Sequence, residues 1–490
     1  EAQASSAPIQ RLADKVSSYF VPAVKVYEHQ VWFSDVWSPS EYARNYDFSK
    51  SFFSQLTNLS LDVPRPNLIV GATSVNSDYT NDSINLKNCY LVFNSLDSEN
   101  CHYTLSALRS RDCVDCFDVF DSTQCYECFE SHELYNCSYV DYSKNCLDSY
   151  FLYDCRNCTN CFGGVNLRHK KYIFFGERLT KEAYEKKIAS INLGDRNVLK
   201  EYLKKFEEMT NKAIHKPHHN EKAINCFGDY NMSSRECYSC LFAEKTEKSA
   251  YIIGSVDVRD SQDITGVSSE LSYMTSGAFN SYKALFSANL EGCRETEYSI
   301  LCGNSHDVFG CVGLLNKSFC IFNKQYTEEE YWEMVDKIKT KMMQDGEYGE
   351  FFPPDFSPFP YNISISGSYK GYEDFENAKK YGYKFEDIHT KTDTIVENVI
   401  DVEEVPADIK DVSDDILNKT IFDKKNNKKF RYTKIELDLH RKFNMPLPLE
   451  HFTARLDRKR AKFGSILIQF FRRTCSKCGI SFEAVYPPED

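Results

Sequence analysis

Cys89, Cys101, Cys113, Cys125 and Cys137 stand at a constant interval of 12 residues, and Cys146 and Cys155 follow at intervals of 9. The residue before each is Asn88, Asn100, Asp112, Gln124, Asn136, Asn145 and Asp154. The residue three places after each is Val92, Thr104, Cys116, Cys128, Val140, Ser149 and Cys158. Each rung therefore reads polar, Cys, two variable residues, then a small or compact one. An Asn or Asp closes a turn through its own side chain. A small inward residue lets successive rungs stack, and buried Cys behaves as a small hydrophobe. A repeat this short cannot bury a face alone, so its core has to come from neighbouring repeats.

The ladder returns later in the chain. Cys237, Ser249 and Ser261 are again 12 apart, and Cys293, Cys302, Cys311 and Cys320 are 9 apart. Residues 155–184 and 302–331 align without a gap at an offset of 147. The chain is thus read as an internal duplication. Its expected fold is mainly β: two tandem short-period β-solenoid arrays, like parallel β-helices, each followed by amphipathic helices. Two rungs would make one coil of 18 or 24 residues, and a one-rung coil is the competing geometry. Spacing alone does not decide between them.

Cys155, Cys158 and Cys161 form C-x-x-C-x-x-C, a spacing that can begin an iron–sulfur site. The duplication argues for packing instead. At offset 147, Ser305 and Val308 face Cys158 and Cys161, while Gly164 and Ile173 face Cys311 and Cys320. A ligand cannot become Val or Ile and keep its metal, whereas a packing position can change in this way. Metal binding and disulfides remain the alternatives for the ladder. The 20 Cys among 490 residues are too sparse for a small disulfide scaffold. No secretory signal opens the chain and no run of 18 apolar residues crosses a membrane, so a cytoplasmic protein is expected.

Thr180 opens a helix through Tyr184 and Ile188. Val198, Leu199, Tyr202, Leu203, Phe206 and Met209 form a second helical stripe. Thr327 with Glu330 makes a capping box ahead of Tyr331, Met334, Val335 and Ile338. These helices are expected to cap the open ends of the arrays. The boundaries read from the chain are a fusion-like segment 1–24, a lead-in 25–80, a first array 81–175 and a helical cap 176–215. A second array 222–322, a cap 323–345, a Pro-containing and acidic linker 346–416 and a basic tail 417–490 complete it. His215, His218 and His219 read as a solvated loop.

The net charge of −13 is uneven: residues 419–478 carry +12 and the rest −25. An acidic body with a basic tail suits a polyanion partner, and the plainer reading is a solvated basic helix that balances the body. The candidate polyanion contacts are Arg455, Arg458, Lys459, Arg460, Lys462, Arg472 and Arg473, with nucleic acid or the ribosome met through residues 455–478. Cys475 and Cys478 lie in C-x-x-C-G before an aromatic strand, which looks like the first knuckle of a zinc ribbon. A closed tetrahedral site needs four ligands. Either a partner, or His440 and His451, completes this one, or the chain is truncated, or no zinc is bound. No phosphate-binding loop, nucleophile elbow or H-E-x-x-H occurs, so no catalytic residue is assigned.

From about Val26 onward, WFSDVWSPSEYARNYDFSKSFF (32–53), the NCY ladder from Asn88, FLYDCRNCTNCFGGVNLRHKKYIF (151–174), IFNKQYTEEEY (321–331), GEFFPPDFSPFPYN (349–362) and the terminal CSKCG resemble a family of Cys-rich tandem-repeat, zinc-ribbon-bearing proteins of candidate-phyla bacteria. The resemblance implies tandem repeats flanked by zinc ribbons, and no activity. Glu28 and Val31 stand where the family places ribbon cysteines, and the C-P-x-C pattern near His451 is missing. Residues 1–24 separately resemble a short stretch of heavy-metal P-type ATPases. The phosphorylation motif D-K-T-G-T is absent, so no metal transport is expected from them. A chain without an initiator Met fits a fragment. The expected function is that of a non-enzymatic structural or binding scaffold with an unidentified protein partner and no membrane. The alternatives are a nucleic-acid- or ribosome-associated protein and a carbohydrate-active β-helix enzyme with two convergent carboxylates.

Overall fold

The computed structural model describes residues 25–26, 29–32, 37–66, 73–108, 111, 117–120, 123–216, 218–364, 374–386, 398–462 and 471–484. The segment 1–24, Cys113 and residues 463–470 lie outside them. The described residues are mainly β, with parallel-rich sheets and seven α-helices: α1 Phe52–Asp62, α2 Lys181–Ala189, α3 Arg196–Thr210, α4 Glu328–Asp345, α5 Phe375–Lys380, α6 Lys434–Phe443 and α7 Phe452–Lys462. No helix among them is long and apolar enough to cross a membrane. The chain divides into two compact units, each assembled from separate stretches. One joins Leu68–His215 to Thr390–Gly464, and the other joins Glu1–Asn67, Lys216–His389 and Ser465–Asp490.

The first unit is built on a parallel ladder whose register is 12 residues. Asn81, Phe93, Leu105, Phe117 and Phe129 pair in series, as do Cys125, Cys137 and Ser149. Isolated bridges carry the pairing back to Val75, so the array begins ahead of residue 81. The register follows from the backbone. Every third residue from Gln124 to Phe175 has positive φ, with Gly163 taking its turn in the series. Left-handed backbone costs an L-residue about 1–2 kcal/mol, least for Asn and Asp, which explains their frequency at these corners. The residue after each corner points inward: Cys125, Cys128, Ser131, Leu134, Cys137, Val140, Ser143 and Cys146 are all buried.

The corners engage two of every three N–H groups with the backbone of neighbouring rungs. The corner N–H donates backward, as from Asn88 to Val75 O at 3.0 Å and from Asn100 to Lys87 O at 2.9 Å. The N–H two places after the corner donates forward, as from Tyr90 to Cys101 O at 3.1 Å. Glu177–Arg178 then pairs antiparallel to Ile173–Phe174 and finishes the edge.

The second array repeats this plan with two shorter steps. Tyr238, Ala250 and Gln262 pair at 12, but Ile264 pairs with Thr275 and Phe227 with Tyr238, each a residue closer. A glycine serves both places. A Cβ on Gly228 would stand 1.9 Å from Cys240 O, and one on Gly266 would stand 2.1 Å from Ala278 O. No side chain fits so close an approach.

The three helices read from the sequence form, as α2, α3 and α4, but α3 covers a surface the sequence did not assign to it. Instead of capping an end, α3 lies along the first array: Tyr202 meets the rings of Phe151, Phe162 and Phe175, which come from successive rungs. In the second unit it is α1, far upstream in the chain, that covers the matching surface. Phe52 packs on Tyr298, Phe309 and Phe322 with ring centroids 5.1–5.5 Å apart. The lead-in 25–80 is therefore partly core of the second array. A further correction concerns the linker 346–416. Its last part is folded: Val399–Asp401 pairs with Thr420–Asp423, which pairs with Lys428–Phe430, over a core of Val405, Ile409, Val412, Ile416, Ile421, Leu437 and Leu447. Spaced aliphatic residues outweigh the acidic composition there. Arg196 joins this module to α3 by donating to the carbonyls of Val405, Pro406 and Leu447.

Candidate functional sites

The ladder cysteines occupy the inward column. Cys89, Cys101, Cys125, Cys137, Cys146, Cys155, Cys237, Cys293, Cys302, Cys311 and Cys320 are buried, and all described cysteines are free thiols. Their chemistry there matches that of serine. Ser131 Oγ accepts the N–H of Ser143 at 3.1 Å and donates to carbonyls of Phe129 (2.8 Å) and Val140 (3.1 Å) within reach. Cys137 Sγ receives the N–H of Ser149 and lies 3.3 Å from Tyr135 O and 3.4 Å from Cys146 O. An inward N–H has no backbone partner in such a ladder, so the side chain one rung earlier supplies the acceptor. Burial pushes the thiols up, Cys320 to about 11 and Cys302 to about 12. Cys158 shares thiol hydrogen bonds with Cys146, Cys155 and Cys161. Among the described residues no group of three or more His, Cys, Asp or Glu could hold a metal ion.

Cys475 and Cys478 lie at the turn between the antiparallel strands Phe471–Thr474 and Ser481–Ala484. Gly479, at φ +71°, allows the turn, and its N–H donates to Cys475 O at 2.9 Å. The N–H groups of Cys478 and Lys477 point at Cys475 Sγ and lower its thiol below the ordinary value. Two thiols on one such turn, one of them held by backbone N–H groups, fit one edge of a tetrahedral zinc site. The second pair of donors is not among the described residues. His440 belongs to the other unit, fully buried with its ring edge-on to Tyr126, and His451 is held by Thr453.

The basic residues fall into different surroundings. Arg455 is corrected out of the polyanion set: it is 2% exposed, pairs with Glu436 at 3.3 Å and lies over the Tyr103 ring at 4.8 Å. The sequence pattern of a basic run hid a core arginine. Arg458 is exposed and pairs with Glu450. Lys459, Arg460 and Lys462 continue α7, whereas Arg472 and Arg473 lie on the hairpin of the other unit. His219 lies in a loop as read, but it is not solvated: it stacks on Tyr230 and meets the buried Asp229.

A feature that sequence reasoning missed is a cleft of about 250 Å³ between α4 and the outer face of the second array. Leu271 and Leu285 line it, with Lys283, Glu295 and Glu297 around them and Trp332 at its side. Lys283 pairs with Glu295 at 2.8 Å, and Glu297 pairs with Lys339 and accepts from Tyr348 Oη at 3.2 Å. Its residues come from rungs 12 apart and a distant helix, so only the register assembles them.

No protein-family model matches the chain, and no curated protein matches it. Solved structures include a protein assigned as an acetyltransferase from Desulfovibrio desulfuricans G20, 10% identical, with a TM-score of 0.11. The alignment covers 45% of this chain and 64% of that protein's length, and a likeness this slight carries no argument.

Proposed function

We propose that the chain is a non-enzymatic binding scaffold made of two β-solenoids, each with one 12-residue coil of four three-residue sides. The observation that supports this is the 12-residue register, shortened at two steps of the second array, over a buried small-residue column. Such a ladder satisfies its backbone internally and leaves fixed outward rows. Those rows carry matched side chains, including Asn76, Asn88 and Asn100 as an amide ladder and Arg235 against Glu247 at 3.1 Å. Free thiols suit a cytoplasmic, reducing compartment. The C-terminal thiol pair would hold zinc with donors supplied by a partner, and zinc there would be structural, fixing the hairpin.

Photo-cross-linking tests the scaffold reading. A benzophenone side chain at Tyr238 or Tyr251, both outward and exposed, is expected to capture one recurrent protein. Absence of any recurrent cross-link from the outward rows counts against it. The β-helix enzyme reading has its two carboxylates in Glu295 and Glu297, yet each already has an ion-pair partner.

The second reading, polyanion binding through the basic tail, draws on the local charge of +12. Affinity for a duplex oligonucleotide is expected to fall steeply with salt, with a log–log slope near −0.9 per phosphate neutralised. Charge reversal at Arg458, Lys459 and Arg460 should flatten that slope. Binding that ignores both salt and reversal rejects the reading.

A further inference from the structure

We infer that the cleft between α4 and the second array is a binding site for a neutral saccharide of one or two rings. The size sets the first limit. About 250 Å³ lies below the roughly 300–1,000 Å³ of sites for drug-sized ligands, so the cleft itself has room for a small group only.

The chemistry of the wall narrows the class. Trp332 is 48% exposed, although Tyr331 and Val335 on the same helix are buried. Its ring stands edge-to-face against Tyr331 at 5.0 Å, which fixes its plane. A large aromatic face held open beside a cleft suits the C–H face of a sugar, because its body is apolar and its surroundings are wet. Leu271 and Leu285 extend the apolar surface. Around them the ammonium of Lys283 offers donors and the carboxylates of Glu295 and Glu297 offer acceptors. Hydroxyls can bond to both signs without disturbing either pair. An ionic ligand of either sign would meet a like charge beside the opposite one.

The internal duplication supplies a control. The helix docks through Tyr331 and Val335, and the positions 147 earlier are Tyr184 and Ile188, which serve α2 in the same way. The cleft residues are different. Leu271, Lys283, Leu285, Glu295, Glu297 and Trp332 correspond to Gln124, Asn136, Ser138, Asp148, Tyr150 and Glu185. In that copy Asn136 bonds directly to Asp148 at 2.7 Å. Docking the helix therefore does not require Trp332, Lys283 or Glu295, whereas Glu297 also holds Lys339 of the helix; the first three are left to meet a ligand.

The inference goes beyond the scaffold reading, which stands without it. The full chain is titrated with maltose, cellobiose and N,N′-diacetylchitobiose, followed by calorimetry and tryptophan fluorescence. A short charged peptide is the comparison. Saturable binding of at least one sugar is expected, with Trp332→Ala weakening it at least tenfold and Glu295→Gln also weakening it. Trp332→Phe keeps an aromatic face and should retain part of the affinity, which separates loss of the platform from loss of the fold. Unchanged thermal midpoints verify that the variants are folded. The inference is overturned if none of the sugars binds, if binding survives Trp332→Ala, or if the peptide binds in preference to every sugar.

Discussion

At the scale of single residues, the inward column asks for more than small volume. Ser143, Cys155 and Cys161 show the requirement: each inward N–H of Ser143, Cys155 and Cys161 is accepted by a serine oxygen one rung earlier, at 3.1, 2.9 and 3.1 Å. Cysteine can take the same role, which is why Ser249, Ser261 and Ser305 replace it without loss of the ladder. Cys137→Val should therefore cost about 1–3 kcal/mol, since the N–H of Ser149 loses its acceptor. Cys137→Ser should cost less, because its hydroxyl still accepts that N–H and has the carbonyls of Tyr135 and Cys146 within reach to donate to. Urea denaturation of the two variants checks the order. The raised thiols add a pH dependence. A thiol that keeps its proton in the folded state up to about 11 or 12, against a value near 9 in the unfolded chain, favours folding fully below pH 9. Stability should then fall as pH rises from 9 towards 11–12, and Cys302→Ser should make that fall shallower. The period was legible in the sequence because cysteine marks it. The hydrogen-bond role was not, because it joins residues a full rung apart.

Among the elements, an aromatic column decides which helix covers each array. Tyr139, Phe151, Gly163 and Phe175 in one copy correspond to Phe286, Tyr298, Gly310 and Phe322 in the other, again at offset 147. All eight have positive φ. The glycines make room: a Cβ on Gly163 would stand 2.7 Å from the Phe175 ring, and one on Gly310 would stand 3.1 Å from Phe322. The same surface takes α3 in one copy and α1 in the other. Phe151→Ala should cost about 3–5 kcal/mol as a large-to-small change in a fully buried site. Hydrogen exchange should then accelerate across α3 and leave α1 protected. Helix starts were readable from Thr180 and from Thr327 with Glu330, where side chains cap local N–H groups. The surface each helix covers was not readable. Neighbours in sequence are usually neighbours in space, and α1 breaks that rule because the stretch between it and its array belongs to another unit.

For the whole molecule, the discontinuity of the units is what sequence order concealed. The module at 398–462 was read as part linker and part basic tail, yet its Glu436 and Arg455 are buried together against the first array. Tyr103 Oη donates to Glu436 Oε2 at 3.0 Å, and the Tyr103 ring stacks on Phe452 at 5.5 Å. A buried pair that loses one partner leaves the other charge uncompensated, at about 3–5 kcal/mol. Arg455→Met should therefore destabilise the unit strongly. The double variant Arg455→Met with Glu436→Leu should recover part of that loss, because hydrophobic replacement of both partners is often neutral while Tyr103 Oη loses its acceptor. A double-mutant cycle by denaturation measures the coupling. The same variants separate structure from polyanion binding. Arg455→Met should leave the salt slope of oligonucleotide binding unchanged in the fraction that remains folded, whereas Arg458→Glu should flatten the slope and leave stability nearly untouched. If Arg455→Met changes the slope at constant stability, the guanidinium is reaching solvent and the buried assignment fails. If it lowers stability alone, the basic run divides as the structure draws it, with Arg455 holding the array to its module and the exposed Arg458 left to meet phosphate.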